Sequence, residues 1–512
     1  MLVDMENWQN FFKGKKVTQM GLGLLGRGVG DAAFLAKFGV DLLVTDLKTE
    51  KELASSIKKL RSYPPALLRK AKRAGKLKAI SYVLGEHRLE DFSARGGSAL
   101  GGRNRDFILK AAGVPLNSPY IAEARRNKIP IEMDASLFFK LMPKGVTFVG
   151  ITGTRGKTTT AYLIYEILKL VLQQSSGRPK SRAFLAGNIK DTATLPLLEK
   201  VRAGDFVVAE LDSWQLQGFG DSRISPHIAV FTTFLPDHLN YYGGDMGKYF
   251  ADKANIFKYQ KKGDILILGE QITRLNLTEK KDSTFKKAII ARITDIPISW
   301  RLKIPGEHNR ANAACALAVA RALKIPDGIS RKAIENFGGV PGRLEFIREI
   351  NGVKIYNDTC ATTPDATIVA LRALNSPFEK GGARRVGDLK IPPLAYGGAL
   401  PLLKGELRKI ILILGGSDKG LDMSKLVEEI PKYCKKVFLL PGSGSDKLQA
   451  ISYKLQPVLI NVSNLKEAVG KSIKVASKND IILFSPALAS FGQFVNEYDR
   501  GEQFNEIVKK LA

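Results

Sequence analysis

Cysteine, histidine and long apolar runs are all scarce in this 512-residue sequence, which contains three cysteines and four histidines. Cys315, Cys360 and Cys434 are odd in number and widely separated, so we expect no disulfide framework and favour a reducing compartment. No stretch reaches the ~18–20 apolar residues that a membrane-spanning helix needs. The acid-containing start MLVDMENWQNFF lacks the pattern of a secretory signal. We therefore predict a cytoplasmic protein with no membrane insertion.

Acidic residues are also outnumbered, by 79 Lys and Arg to 50 Asp and Glu, which leaves a formal net charge of +29. Such an excess is compatible with nucleic acid, a membrane surface or anionic small molecules as partners. Charge alone does not choose among them, and we favour a lysine-rich solvated surface. The 44% apolar and 25% charged residues are typical of a globular protein, and the length predicts about three domains.

Short apolar strand patterns alternate with helical patterns along the chain, which predicts an α/β fold. We place the domains at 1–143, 144–341 and 342–512, because a strand pattern opens each region. The segment 58–105 is rich in Lys, Arg and Gly, and 379–401 is rich in Gly and Pro. The first is predicted to hold a partly solvated insertion and the second to be a loop, and the sequence leaves their role open.

A glycine-rich string lies between the strand pattern VTFVGIT and the helical pattern TTTAYLIYEIL. Glycines let backbone N–H groups turn toward phosphate oxygens, and the start of the helix adds its dipole. Lys157 is placed to reach the outer phosphates, and Thr158 to hold Mg²⁺. The strict phosphate-loop pattern has glycine where Ile151 stands, so this is a shortened variant. The predicted loop comprises Gly153, Thr154, Arg155, Gly156, Lys157, Thr158 and Thr159.

Polar residues follow three other predicted strands. Glu210 ends DFVVAE, where a further Mg²⁺ ligand would lie if the strand is next to the phosphate loop. His238 follows HIAVFTTF, and histidine is a poor Mg²⁺ ligand that nevertheless occurs in mixed sites. Asn188 ends LAGN and either orients a bound group or closes a turn.

A second glycine run, Gly21, Gly23 and Gly26, follows the first strand pattern, and Asp46 ends the next one. This spacing is typical of a dinucleotide site and would suggest a dehydrogenase. The phosphate loop makes that interpretation weak, and a purely structural strand–turn–helix is the alternative.

Eleven motifs in order resemble the Mur ligases. They are GLGLLG, GITGTRGKTTT, AGNI, AELDSWQL, DHLNYY, KYFADKANIF, GEHNRANAACALA, GVPGRLEF, YNDTCATTPDA, LGGSDKG and SPALASFGQF. They extend over nearly the whole chain, and ELDSWQL and SPALASFGQF are most similar to the members that add D-glutamate to UDP-N-acetylmuramoyl-L-alanine.

The resemblance implies an N-terminal Rossmann-like domain for the UDP substrate, a central P-loop domain for ATP and a C-terminal Rossmann-like domain that closes over ATP and the amino acid. It also implies an ATP-dependent amide-bond ligase that works through an acyl phosphate in peptidoglycan precursor synthesis. Two Mg²⁺ ions and a carbamylated lysine, here Lys253, are expected. Carbamylation needs a neutral amine, so a partly desolvated lysine would suit it.

The resemblance also assigns site residues by position. It implies metal contacts at Thr158, Glu210, His238 and Lys253, and ATP contacts at Lys157, Asn309, Asn312, Arg343 and Asp358. It implies contacts with the UDP substrate at Leu24, Leu25, Asp46 and Asn188, and a D-glutamate pocket at Thr362, Lys419, Ser490 and Phe491. Within these sets the expected catalytic residues are Lys157, His238, Lys253 and Lys419.

Four residues depart from the family pattern. Arg155 stands where asparagine is common, and Gly342 stands where a histidine commonly precedes the arginine. Cys360 occupies the place of a lysine, so a positive charge near the reacting groups is missing, and Arg155 or Lys419 is a candidate to replace it. Glu497 lies where a phenylalanine can flank the amino-acid pocket.

Other functions stay open. Another ligase of the superfamily could add a different amino acid or act like folylpolyglutamate synthase. A basic nucleotide-switch protein that binds nucleic acid would need an organised basic face with aromatic groups. We find no recognised nucleic-acid module, so no nucleic-acid partner is expected, and we expect a monomer.

Overall fold

The computed structural model describes residues 8–24, 26–62, 80–93, 105–174, 181–189, 192–273, 288–375, 409–451, 458–490 and 493–511. The chain divides into two compact units. The first contains Met1–Trp300 and Ala311–Ile334, and the second Arg301–Arg310 and Glu335–Ala512. The predicted loop at 379–401, most of the predicted insertion at 58–105, and the candidate residues Leu25 and Phe491 lie outside the described residues.

The first unit begins with a five-stranded parallel sheet in the order β3-β2-β1-β4-β5. This order is that of a Rossmann-like sheet. Its strands are β1 Lys16–Met20, β2 Asp41–Asp46, β3 Ser81–Leu84, β4 Phe107–Lys110 and β5 Ile131–Glu132. The accompanying helices are α1 Trp8–Phe12, α2 Arg27–Lys37, α3 Ala54–Ser62, α4 Pro119–Arg126 and α5 Asp134–Leu141, with a 3₁₀ turn at Leu89–Phe92.

A six-stranded parallel sheet follows in the order β11-β10-β9-β6-β8-β7. Its strands are β6 Thr147–Thr152, β7 Ala183–Gly187, β8 Phe206–Glu210, β9 Ile228–Phe231, β10 Ile265–Gly269 and β11 Ile289–Ala291. The helices are α6 Lys157–Gln174, α7 Ser213–Ser222, α8 Leu239–Tyr242, α9 Met246–Ala254, α10 Glu270–Thr273, α11 Glu307–Ala322 and α12 Asp327–Asn336, with 3₁₀ turns at Leu195–Glu199 and Ile293–Asp295. Ligands of open α/β sheets bind beyond the carboxyl ends of central strands, and β6, β8 and β9 are neighbours there.

The second unit contains a six-stranded sheet in the order β12-β13-β17-β14-β15-β16, in which only the β12–β13 pair is antiparallel. Its strands are β12 Glu345–Ile350, β13 Val353–Asn357, β14 Ile410–Gly415, β15 Cys434–Leu440, β16 Leu459–Asn461 and β17 Ile481–Phe484. Its helices are α13 Pro364–Leu374, α14 Ser424–Tyr433, α15 Ser443–Ile451, α16 Leu465–Val475 and α17 Glu497–Lys509.

The uninterrupted apolar run of β14 shows why this sheet is covered on both faces. Ile410, Leu412 and Leu414 belong to one buried cluster, and Ile411 and Ile413 to another. Successive side chains of a strand point to opposite faces, so both faces need a helical layer.

The predicted α/β class is confirmed, and one sheet falls in each of the three predicted ranges. The first two sheets belong to one compact unit, so the boundary at 143/144 stays a prediction, as does that at 341/342. Within the ranges given above, no helix has both the length and the apolar character needed to cross a membrane.

Candidate active site

The predicted phosphate loop joins β6 to the first turn of the 18-residue helix α6. Gly153 and Gly156 have φ of +145° and +84°, and a Cβ at Gly153 would lie 2.0 Å from Thr232 Oγ1. The Thr154 and Arg155 N–H groups donate to Thr233, at 2.7 Å to its carbonyl oxygen and 2.9 Å to Oγ1. Glycine is therefore needed at this turn, and the segment after β9 anchors the loop at the start of α6.

Two lysine side chains meet at one carbonyl oxygen of this loop. Lys157 Nζ donates to the Gly153 oxygen at 3.0 Å and to the Thr154 oxygen at 3.2 Å. Lys253 Nζ, from α9, donates to the same Gly153 oxygen at 2.9 Å. Lys253 is only 2% exposed, and burial, followed by the charge of Lys157, holds its pKa well below the usual lysine value. A lowered pKa makes the neutral amine accessible, which is what carbamylation requires.

Glu210 is a buried carboxylate at the carboxyl end of β8, in register with Ile151 of β6. It is 3% exposed, and its Oε2 atom finds no hydrogen-bond partner among the residues described. A buried carboxylate oxygen without a partner is costly, and a cation would satisfy it. The described residues hold no group of three or more His, Cys, Asp and Glu side chains arranged for a metal. Mg²⁺ does not need such a cage, because it binds through one or two carboxylates together with phosphates and water.

His238 lies near this loop in a left-handed backbone conformation with φ of +53°. Its ring centroid is 4.8 Å from that of Trp214. Burial lowers the pKa of His238, while the Asp237 charge opposes that effect and the charges of Lys157 and Lys253 add to it. The lowered pKa favours the neutral imidazole, which is the form that binds a metal.

The sequence interpretation missed Tyr249 as a neighbour of these residues. Its ring centroid is 4.9 Å from Lys253 Nζ, and its hydroxyl is 3.3 Å from Thr154 Oγ1. Tyr249 and Lys253 are four residues apart on α9 and so share a helix face. That spacing was the signal available in the sequence.

Asp46 is engaged with the glycine turn of the first sheet. Its Oδ2 accepts from the Leu22 N–H at 2.8 Å and the Gly23 N–H at 3.1 Å, and its Oδ1 accepts from the Lys48 N–H. Asp46 therefore shapes the turn that contains Leu24. Such a role is the one expected if this region is a purely structural strand–turn–helix.

Asn188 and Asn312 also lie beside the loop and Glu210. The Asn188 N–H donates to the Glu210 carbonyl oxygen at 2.7 Å. A Cβ at Gly156 would lie 2.2 Å from Asn312 Oδ1, so this side chain contacts the phosphate loop. Asn309 belongs to the second unit, and its Nδ2 donates to the Pro305 carbonyl oxygen at 2.7 Å.

In the second unit, Asp358 follows β13 and is buried. Its carboxylate accepts from Ser485 Oγ at 2.8 Å and from the Leu344 N–H at 3.1 Å. Burial raises the pKa of Asp358 to about 7, although these two hydrogen bonds and the Arg343 charge oppose the rise. The raised pKa makes the protonated carboxyl of Asp358 more accessible near neutral pH than that of an exposed aspartate.

Three strand ends of the same sheet carry residues of the predicted amino-acid pocket. Lys419 Nζ, after β14, donates to Thr362 Oγ1, after β13, at 3.1 Å. Ser490 is buried after β17, and the preceding Ala489 pairs with Ser417 in a short antiparallel bridge. The carboxyl ends of β13, β14 and β17 thus place Thr362, Lys419 and Ser490 at one edge.

Cys360 lies in the segment that follows β13, between Asp358 and Thr362. Burial raises the pKa of its thiol, the positive charges of Arg343 and Arg500 oppose the rise, and the negative charges of Asp358 and Glu497 add to it. These two arginines are positive neighbours of the position where the family pattern has a lysine. The proximity of Arg500 could not be read from the sequence.

Comparison with known proteins identifies the family. Residues 151–320 match the Mur ligase middle domain. The UDP-N-acetylmuramoylalanine–D-glutamate ligase of Roseiflexus sp. (strain RS-1) is 32% identical, with 98% of this chain and 99% of the relative covered. The ligase of the same name from Borreliella burgdorferi (strain ZS7) is 31% identical, with 96% and 97% covered.

A solved structure supports the fold. The UDP-N-acetylmuramate-alanine ligase of Thermotoga maritima superposes with a TM-score of 0.54 at 18% identity, over 96% of this chain and 99% of that one. The full-length relatives match this chain over nearly the whole length of both proteins, and the phosphate loop and strand-end residues described above lie in the matched region. The chain therefore belongs to the Mur ligase family, alongside the UDP-N-acetylmuramoylalanine–D-glutamate ligases.

Proposed function

We propose that this protein is an ATP-dependent ligase that joins D-glutamate to UDP-N-acetylmuramoyl-L-alanine. The observation that carries the proposal is the phosphate loop, where the Nζ atoms of Lys157 and Lys253 meet at the Gly153 oxygen beside the buried Glu210. The names of the full-length relatives supply the two substrates.

The chemistry explains why a phosphate loop is needed for making an amide bond. A carboxylate is a poor acylating agent, because oxide would have to leave. When its oxygen attacks the γ-phosphorus of ATP, ADP leaves and an acyl phosphate forms. The amine of D-glutamate then attacks the acyl carbon, and the amide forms as inorganic phosphate and a proton are released. Lys157 would stabilise the charge that develops on the transferred phosphoryl group.

The residues of the loop region fit magnesium. Thr158 and Glu210 would hold one ion, and His238 with carbamylated Lys253 would hold a second. Bound Mg²⁺ would offset the negative charge of the triphosphate. The unpartnered Oε2 of Glu210 and the lowered pKa of Lys253 support this assignment.

The remaining contacts follow from position in the family motifs. Leu24, Leu25, Asp46 and Asn188 would contact the UDP substrate, Asn309, Asn312, Arg343 and Asp358 would contact ATP, and Thr362, Lys419, Ser490 and Phe491 would form the D-glutamate pocket. Because Asp46 already accepts three backbone N–H groups, its contribution would come mainly through the shape of the turn. We propose a monomer in the cytoplasm, and the three free cysteines fit a reducing compartment.

Phosphate release from ATP is expected to require both UDP-N-acetylmuramoyl-L-alanine and an amino acid, because the acyl phosphate is useful only when an amine discharges it. The experiment measures phosphate while the amino acid is varied, and D-glutamate should be preferred. Efficient use of L-alanine or meso-diaminopimelate would assign the protein to a sister ligase. ATP hydrolysis stimulated by RNA or DNA and indifferent to both substrates would contradict the proposal.

Cys360→Lys is expected to change turnover with D-glutamate by less than about tenfold, or ~1.4 kcal/mol. Arg343 and Arg500 lie near this position, together with the carboxylates of Asp358 and Glu497, and we expect the two arginines to supply the positive charge that the lysine would bring. Steady-state turnover of the two proteins is the measurement. If the wild type is nearly inactive and the lysine variant gains about a hundredfold, ~2.7 kcal/mol, ordinary D-glutamate ligation is not the native activity.

A further inference from the structure

Arg500 of α17 is one of the largest fully buried side chains of the protein, with 1% of its surface exposed. Its Nε donates to Thr359 Oγ1 at 3.1 Å, and its two terminal nitrogens donate to the Thr359 carbonyl oxygen at 2.9 Å and to the Leu488 carbonyl oxygen at 3.2 Å. All three acceptors are neutral oxygens. Among the residues that the structure describes, the guanidinium forms no ion pair.

A buried charge that is not hydrogen-bonded to a carboxylate is unusual because desolvation is costly, and the charge of Glu497 on the same helix offsets only part of that cost. Burial lowers the pKa of Arg500 only to about 10, so the group is charged at neutral pH. A neutral side chain of similar volume would avoid the desolvation. The cost of burying the arginine therefore points to a role for the three hydrogen bonds that its guanidinium donates.

The bonds of Arg500 join two of the segments that carry the predicted amino-acid pocket. Thr359 belongs to the segment 358–362 after β13, which contains Thr362, and Leu488 belongs to the segment 485–490 after β17, which contains Ser490. The Ala487 N–H also donates to the Ala361 carbonyl oxygen at 2.9 Å, so the two segments touch directly.

The segment that contains Thr359 also contacts the start of α17, the helix that carries Arg500. Thr359 Oγ1 donates to the Glu497 carbonyl oxygen at 2.8 Å, and a Cβ at Gly501 would lie 2.5 Å from Thr359 Cγ2. The start of α17 is thus packed on the first segment. A small displacement of Arg500 would move both pocket segments together.

We propose that Arg500 is a positioning residue for the amino-acid substrate. Its guanidinium holds the segments 358–362 and 485–490 in place, and these segments carry the pocket residues Thr362 and Ser490. This inference rests on the proposed function, because it assigns the pocket at these segments to D-glutamate.

The test compares Arg500→Met and Arg500→Lys by the KM for D-glutamate, ATP and the UDP substrate, with kcat measured alongside. Arg500→Met should raise the KM for D-glutamate by about tenfold or more, while the KM for the UDP substrate changes by less than about threefold. The KM for ATP should rise less than that for D-glutamate, although Asp358 lies in the same segment as Thr359. Arg500→Lys keeps the charge but loses the planar fork, so it should show a smaller rise. If the KM for D-glutamate rises less in Arg500→Lys than in Arg500→Met, the effect comes from the position of the pocket segments and not from loss of folding.

Arg348→Met is the matched control. Arg348 of β12 also donates to backbone carbonyl oxygens, at 3.2 Å to Leu511 and 3.5 Å to Lys509, and both belong to the C-terminal end of the chain. Its loss should leave the KM for D-glutamate unchanged. Thr359→Val removes the Oγ1 acceptor without removing the charge and should raise that KM in the same direction, even if Arg500→Met does not fold.

The inference fails if folded Arg500→Met keeps the wild-type KM for D-glutamate, or if the KM values for all three substrates rise equally. It also fails if Thr359→Val leaves that KM unchanged. A wild type that releases no phosphate in response to D-glutamate would instead refute the proposed function, and this inference with it.

Discussion

Lys157→Ala is expected to lower ATP-dependent ligation by about 10³-fold or more, ~4 kcal/mol, in a protein that still folds. Lys157 opens α6 directly after the glycine loop, where a phosphate would meet the helix dipole. A cation held there stabilises the charge of the transferring phosphoryl group without having to reorganise. Phosphate release under saturating substrates is the measurement.

Lys169→Ala is the control for this change. Lys169 lies on the same helix, and its Nζ is 3.5 Å from Glu166 Oε2 in a solvent-exposed pair, which contributes little to stability. It should retain wild-type turnover. Near-normal activity of a folded Lys157→Ala protein would show that the loop is not catalytic.

Lys253→Ala is expected to lose activity by about 10²-fold or more, and short carboxylic acids such as acetate should restore part of it. A carbamate on Lys253 would present a carboxylate-like ligand, and a free carboxylate can take the vacated place. The buried amine with its lowered pKa is suited to reaction with CO₂. Turnover with and without added acetate is the measurement, together with mass analysis of the intact protein under mild conditions.

Lys248→Ala controls for the loss of a lysine from the same helix. Lys248 is exposed on α9, with its Nζ 3.9 Å from Asp245 Oδ2, and should be dispensable. A fully active Lys253→Ala protein would refute the carbamate proposal. An unmodified Lys253 in a protein with bound metal would refute it equally.

The phosphate loop and the α/β class could be predicted because their signals are local. The loop needs glycines, a lysine and a threonine within a few positions, between a strand pattern and a helical pattern. Glu210 and His238 could be singled out because each follows an apolar strand, and parallel strands end at one edge of a sheet. Those patterns involve neighbouring residues, so they are visible without a fold.

Packing decided what the local patterns could not. Lys253 and Gly153 are 100 residues apart, yet Lys253 Nζ donates to the Gly153 oxygen, and its burial lowers its pKa. Arg500 and Thr359 are 141 residues apart. Nothing in the sequence distinguishes Arg500 from the many other basic residues. The environment of each group depends on which distant elements exclude water from it, and that exclusion exists only once the sheets and helices have packed.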